Sequence, residues 1–198
     1  MNSRSYLIVG HGGQGVLDLG NFIAYDAILH GLHAAYTPSY GPETRGGKVK
    51  CFVVKSPEEI DSPITDKADV LLAMNNPSMD LESSVIENGS LLMNSSLIDR
   101  SPTRSDIEVA SIPLTEIADR LKDQVQDIPD TKVLQNSVAY GALQAIEKET
   151  LDSAVTRAVL EHVYLGTKAR FVPANLTAVK GGYDWVQERG LRGKVLCG

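Results

Sequence analysis

The stretch Ser5-Tyr6-Leu7-Ile8-Val9-Gly10-His11-Gly12-Gly13-Gln14-Gly15-Val16 decides the fold class. A short apolar run ends in glycines. Behind them the apolar positions Val16, Leu19, Ile23, Ala27 and Leu29 recur at helical spacing until Gly31 stops the pattern. The reading is a buried strand, a tight loop and a helix. Gly10, Gly12 and Gly15 match G-x-G-x-x-G in the strand-to-helix context that the motif requires. Glycines let the backbone turn tightly and approach an anion, and the N–H groups that open the helix point at it. The same spacing also serves a tight turn that holds no ligand.

Working outward, His33–Tyr36 reads as a second short strand. Lys48–Lys55 reads as a half-buried strand with Val49, Cys51 and Val53 on one face, and Asp69–Met74 as a fully buried one. Asn76 is expected to cap a helix running to about Glu87, with Pro77 at its first position. Ser90–Met93 and Glu108–Ile112 complete the strands. Strands alternate with helices to about residue 112, so a mostly parallel sheet covered on both faces is expected. The strand at Lys48 follows its predecessor with no helix between, so the sheet is not expected to be purely parallel. Residues 113–190 read as mostly helical, with helices near Thr115–Lys122, Val138–Lys148, Asp152–Leu160 and Asn175–Glu188. A glycine-rich tail, Gly190–Gly198, follows. The whole span 1–198 is expected to form a single domain, its sheet built from residues 5–112.

Composition narrows the function classes. Of 198 residues, 42% are hydrophobic and 22% charged, as in ordinary soluble proteins. Lys and Arg number 19 against 25 Asp and Glu, a net charge of -6, and no basic run stands out, so nucleic acid is not an expected partner. No stretch approaches the ~20 apolar residues of a membrane helix, and Tyr6–Val9 is too short for a signal-peptide core. The expected compartment is the reducing cytoplasm. Cys51 and Cys197 alone cannot hold a four-thiolate iron–sulfur cluster or a Cys-rich zinc site. The histidines His11, His30, His33 and His162 have no metal-ligand spacing, and no nucleophile–base set stands out. Cys51 alternates onto a buried face and reads as core.

A dinucleotide site needs an acid about 20 residues beyond the glycines to hold ribose hydroxyls. His33-Ala34-Ala35-Tyr36-Thr37 contains none, and Asp26 falls inside the helix, so NAD is disfavoured and another phosphate-bearing ligand preferred. His11 reads either as a phosphate contact or as an exposed loop residue. The loop Thr37-Pro38-Ser39-Tyr40-Gly41-Pro42-Glu43-Thr44-Arg45-Gly46-Gly47 lies at a strand's carboxyl end, where ligands dock in open α/β sheets. It admits three readings: a long turn with Arg45 paired to Glu43, a rigid loop aiming Arg45 at an anion, or a subunit interface.

GHGGQG at 10–15, YGPETRGG at 40–47, SPEEI-DSP at 56–63 followed by ADVLLAM at 68–74, and NSVAYGA at 136–142 together resemble one known family. It is the gamma subunit of 2-oxoacid:ferredoxin oxidoreductases, a group that includes the pyruvate, 2-oxoglutarate, 2-oxoisovalerate and indolepyruvate enzymes. The likeness runs from residue 6 to about 146. It implies a Rossmann-like three-layer αβα sandwich. It implies membership of a complex that oxidatively decarboxylates a 2-oxoacid to acyl-CoA and reduces ferredoxin. Thiamine diphosphate and magnesium are then held between alpha and beta subunits, and iron–sulfur clusters in beta and a ferredoxin-like delta subunit. The implied role here is coenzyme A binding and assembly, with no catalytic residue in this chain. Gly10, Gly12, Gly13, Gln14 and Gly15 would approach the CoA phosphates. Ser39, Tyr40 and Arg45 would adjoin CoA or a partner subunit. Separated from its partners, such a chain is expected to be inactive and, with its docking surface exposed, open to homodimerisation. No Gly-Asp-Gly…Asn segment of the thiamine-diphosphate type is visible, which agrees with that division of labour. The alternatives are a stand-alone Rossmann-type nucleotide-binding oxidoreductase and an assembly module with a vestigial glycine loop.

Overall fold

The computed structural model describes residues 2–40, 47–62, 66–125, 128, 130–147 and 150–191. Strand β1 (Arg4–His11) alternates Tyr6 and Ile8 to one face and Leu7 and Val9 to the other, all buried. Burial on both faces is why it reads as an unbroken apolar run. Helix α1 (Val16–Leu29) leads to β2 (His33–Tyr40) and β3 (Lys48–Ser56), then β4 (Ala68–Ala73), β5 (Val85–Asn94) and β6 (Glu108–Ile112). Helices α2 (Leu114–Arg120), α3 (Lys132–Ile146), α4 (Ser153–Val163) and α5 (Val172–Glu188) follow. The six strands lie in the order β2-β3-β1-β4-β5-β6. The pairs β1–β4, β4–β5 and β5–β6 are parallel, and β3 runs antiparallel to both β1 and β2. The α/β class, the mostly parallel sheet and the helical C-terminal part are as expected.

All five α-helices contribute to the larger core, with Tyr6, Ile8, Cys51, Val53, Val70 and Leu72 from the sheet. The opposite face, with Leu7, Val9, Leu71, Leu91 and Met93, has a thinner cover that includes Met79, Ile98 and Ile107. Here the expected helix over 76–87 is corrected. The segment Asn76–Ser84 is a 3₁₀ helix, and Asn75, not Asn76, is its N-cap, accepting from the Ser78 N–H at 3.2 Å. Ser, Asp and Glu dominate its sequence, leaving too few apolar positions for an amphipathic α-helix. β5 therefore begins at Val85 rather than Ser90. β2 runs four residues beyond Tyr36 and through Pro38, which an edge strand tolerates because it needs no second ladder partner. Helix α3 begins six residues before the expected Val138. Every residue from Leu134 to Ile146 is buried, including Gln135, Asn136, Ser137 and Gln144. The polar side chains at 135–137 resemble a helix boundary, but the helix is enclosed there on all sides.

Glu82 anchors the end of the 3₁₀ segment. Its carboxylate accepts from the backbone N–H of Thr103 at 2.9 and 3.1 Å, the Thr103 hydroxyl at 2.9 Å and the Arg104 N–H at 2.9 Å. Burial pushes this carboxyl up, but the Arg104 and Thr103 donors and the Arg104 charge outweigh it, so it titrates below its ordinary 4.5. The depressed value stabilises the fold above about pH 4.5, and that contribution is lost as the pH falls through the folded-state value. Glu82→Gln is expected to cost about 2 kcal/mol at pH 7, the scale of hydrogen bonds to a charged group. It should also flatten the acid limb of a stability-versus-pH curve. An unchanged acid limb in urea titrations would contradict this.

Candidate functional site

The chain leaves β1 for β2 and β3 on one side and then crosses to β4, β5 and β6 on the other. The carboxyl ends of β1 and β4 therefore flank a topological switch point, where open α/β sheets bind ligands. The glycine loop caps this point. Gly10 and His11 end β1, and a Cβ on Gly10 would come within 2.8 Å of Gln14 Oε1 and Val16 Cγ2, so close packing requires glycine there. Gly12 is exposed and donates its N–H to Gly47 O at 3.1 Å. Gly13 turns with φ 92° and is exposed. Gly15 caps α1 in the left-handed region, φ 66° and ψ 26°, with no side-chain cap. The first intrahelical bond runs from Leu19 N to Gly15 O, so the N–H groups of Val16, Leu17 and Asp18 are left without acceptors in the helix. They form the donor end of the helix dipole.

Gln14 is engaged inside the loop. Its Oε1 accepts from His11 N at 2.7 Å and Asn75 Nδ2 at 2.6 Å, and its Nε2 donates to Met74 O at 3.4 Å. Asn75 in turn accepts from the Ser78 hydroxyl at 2.8 Å, which also reaches Val9 O at 2.9 Å. This mesh ties the glycine loop to the ends of β1 and β4 and to the start of the 3₁₀ segment.

The second loop is attached at both of its described ends. Ser39 pairs with Lys50 and Tyr40 with Val49 across β2–β3, and Lys50 and Val49 pair in turn with Val9 and Gly10. Two strand spacings of about 4.8 Å separate the loops there. Ser39 is exposed. Arg45, like all of residues 41–46, lies outside the described residues, as do the Tyr40 side chain and Cys197. Cys51 is fully buried in the core, and burial pushes its thiol up to about 12.

Three residues missing from the sequence-derived site border the loop: Asn75, Asn136 and Asp18. Asn136 presses on Gly15; a Cβ there would come within 1.7 Å of its Nδ2. Its Oδ1 and His11 Nδ1 are buried with no hydrogen-bond partner among the described residues. The NSVAYGA segment marks Asn136 as part of the family likeness, but nothing local in sequence tells that it meets the loop. Asp18 sits in the first turn of α1. Burial pushes its carboxyl above the usual range, and Lys168 pulls against that shift. Burial also raises the Tyr164 hydroxyl, with the Asp18 charge adding to it. Chemically, the arrangement offers free backbone donors, one unpaired amide and one imidazole at the switch point. Such a set suits an anionic ligand.

A family model described as pyruvate ferredoxin/flavodoxin oxidoreductase matches residues 5–185. The ketoisovalerate oxidoreductase subunit VorA of Methanothermobacter thermautotrophicus is 33% identical over 181 residues, covering 91% of this chain and 36% of that protein. The 2-oxoglutarate synthase subunit KorC of Methanocaldococcus jannaschii is 32% identical over 183 residues, covering 90% and 91%. The chain thus spans about a third of the length of VorA and most of KorC. The gamma subunit of a keto/oxoacid ferredoxin oxidoreductase from Geobacter sulfurreducens superposes with a TM-score of 0.73 at 27% identity, covering 93% of this chain and 99% of that one. A 2-oxoglutarate:ferredoxin oxidoreductase from Magnetococcus marinus, with 2-oxoglutarate, coenzyme A and succinyl-CoA bound, shares the fold at TM-score 0.75 and 19% identity, covering 93% of this chain and 32% of that one.

Proposed function

The chain belongs to the pyruvate ferredoxin/flavodoxin oxidoreductase family, and from that premise we propose that it is the gamma-type component of a 2-oxoacid:ferredoxin oxidoreductase complex. The complex decarboxylates a 2-oxoacid, reduces ferredoxin and transfers the acyl group to coenzyme A. This chain's share is to hold an anionic part of coenzyme A at the glycine loop and to dock alpha and beta subunits, with a delta subunit where one is present. Thiamine diphosphate, magnesium and the iron–sulfur clusters reside in those partners, and the complex works in the cytoplasm. Among the described residues, no helix is long and apolar enough to cross a membrane.

The observation that carries this reading is the α1 N-terminus at Gly13 and Gly15, which no side chain caps. With a net charge of -6, the chain must attract a phosphate through local dipoles rather than its overall field. β2 ends in Thr37-Pro38-Ser39-Tyr40 without the acid that a nicotinamide dinucleotide's ribose requires, which speaks against a stand-alone dehydrogenase. Affinity purification of the tagged chain from its native cell tests the proposal. We expect a thiamine-diphosphate-type chain and a Cys-rich chain to co-purify, and calorimetry of the complex to register coenzyme A but not NAD. A chain that purifies alone and oxidises a substrate with NAD would overturn it.

A further inference from the structure

Asn136 is 3% exposed, and among the described residues neither its Oδ1 nor its Nδ2 has a hydrogen-bond partner. An unpaired buried amide costs on the order of 1–3 kcal/mol, so fold stability does not explain it. Its helical neighbours are paired. Ser137 donates to Asn175 Oδ1 at 2.7 Å, and Tyr140 and Gln144 donate to Asp26 Oδ1 at 2.6 and 3.2 Å. The Asn136 amide instead lies over Gly15, where an added Cβ would come within 1.7 Å of Nδ2 and 2.8 Å of Oδ1. It borders the helix start at which the Val16, Leu17 and Asp18 N–H groups have no partner among the described residues. His11 Nδ1, also buried and unpaired, ends the strand that leads into this loop.

These groups are not all of one kind. The backbone N–H groups can only donate, and they suit an ionised phosphate. The Asn136 side chain offers an Nδ2 donor as well as its Oδ1 acceptor; an ionised phosphate can take the donor but leaves the acceptor unsatisfied. We infer that Asn136 is a ligand-contacting specificity residue, whose amide takes a hydrogen bond from an N–H or O–H carried beside the ligand's phosphate. The site thereby selects a phosphate ester bearing a hydroxyl or amide over a bare phosphate. This rests on the reading that a phosphate-bearing ligand docks at the glycine loop. Coenzyme A carries alcohol and amide donors near its pyrophosphate; inorganic pyrophosphate has neither, its one P–O–H donor being lost in the alkaline buffer used for the comparison.

The test compares coenzyme A with inorganic pyrophosphate by calorimetry on the complex, in wild type and Asn136→Leu. Leucine keeps the branched shape and heavy-atom count and removes the polar atoms. Coenzyme A affinity is expected to fall about 10-fold or more, the scale of a lost buried hydrogen bond. Pyrophosphate affinity should fall distinctly less, since it loses at most the Nδ2 donor and keeps the backbone donors. Equal loss for both ligands, or no loss for coenzyme A, overturns the role of Asn136. In the wild-type complex, the Asn136 side-chain amide resonance tests the same point without a substitution. It should move further with coenzyme A than with pyrophosphate, and an equal or smaller shift with coenzyme A counts against the inference. Gly13→Val tests the underlying reading separately: unchanged affinity for both ligands would show that the loop is not the site, whatever Asn136 does.

Discussion

Gly182→Ala is expected to destabilise the protein by about 3 kcal/mol, the upper end of overpacking costs, read as a lower urea midpoint at unchanged slope. Helices α3 and α5 meet backbone to backbone. A Cβ on Gly182 would lie 2.0 Å from Val138 O, and one on Gly141 would lie 1.9 Å from Val179 O. The obstacle on each side is a main-chain carbonyl inside a helix, so neither can swing away and the helices must separate. Separation also strains the Ser137–Asn175 hydrogen bond of 2.7 Å, which bridges the two helices. Gly141→Ala should cost a similar amount. The double variant should cost well below the sum, because one separation relieves both clashes; strict additivity would show that the two contacts are independent. Gly181→Ala is the control. Its Cβ would meet only the Leu121 side chain, Cδ1 at 2.8 Å, which can rotate. The helix propensity of alanine, up to about 1 kcal/mol over glycine, then offsets the cost.

The largest functional effect is expected from Gly15→Ala, which should weaken coenzyme A binding by the complex at least about 100-fold. Gly13→Ala should weaken it no more than about 10-fold. Both glycines have positive φ, 66° and 92°, and share a left-handed penalty of roughly 1–2 kcal/mol. They differ in what a methyl group meets. At Gly13 nothing lies within 4 Å, whereas at Gly15 the methyl would occupy the Asn136 amide. Alanine at 15 must therefore displace Asn136 and shift the start of α1 together, moving donors that act only when aimed. Adding Asn136→Ala to Gly15→Ala should recover stability but not binding. Titrations giving the reverse order for the two glycines would refute this account of the loop.

The strand-loop-helix unit is legible in the sequence because its evidence is local. Tyr6–Val9 and the spacing Val16, Leu19, Ile23 and Ala27 state two periodicities joined by glycines, and the structure has β1 and α1 there. The antiparallel β3 is foreshadowed by the missing helix before Lys48. Legibility ends where burial overrides composition. Gln135, Asn136 and Ser137 resemble the approach to a helix, yet they lie within a helix that the others enclose. Gln14, expected at the ligand from the family likeness, has its amide oxygen bound to His11 and Asn75 within the loop mesh.

By itself, then, the sequence determined the alternation of strands and helices, the glycine turn and the lack of a ribose-binding acid. Each is a property of spacing along one short stretch. Only the tertiary structure decided that Asn136 lies on Gly15, that Gly141 and Gly182 let two helix backbones touch, and that Gly47 bonds to Gly12. Those contacts join segments far apart in the chain. Their physical basis is close packing, in which a missing Cβ at one residue is filled by atoms of another, and no local pattern records which atoms they are.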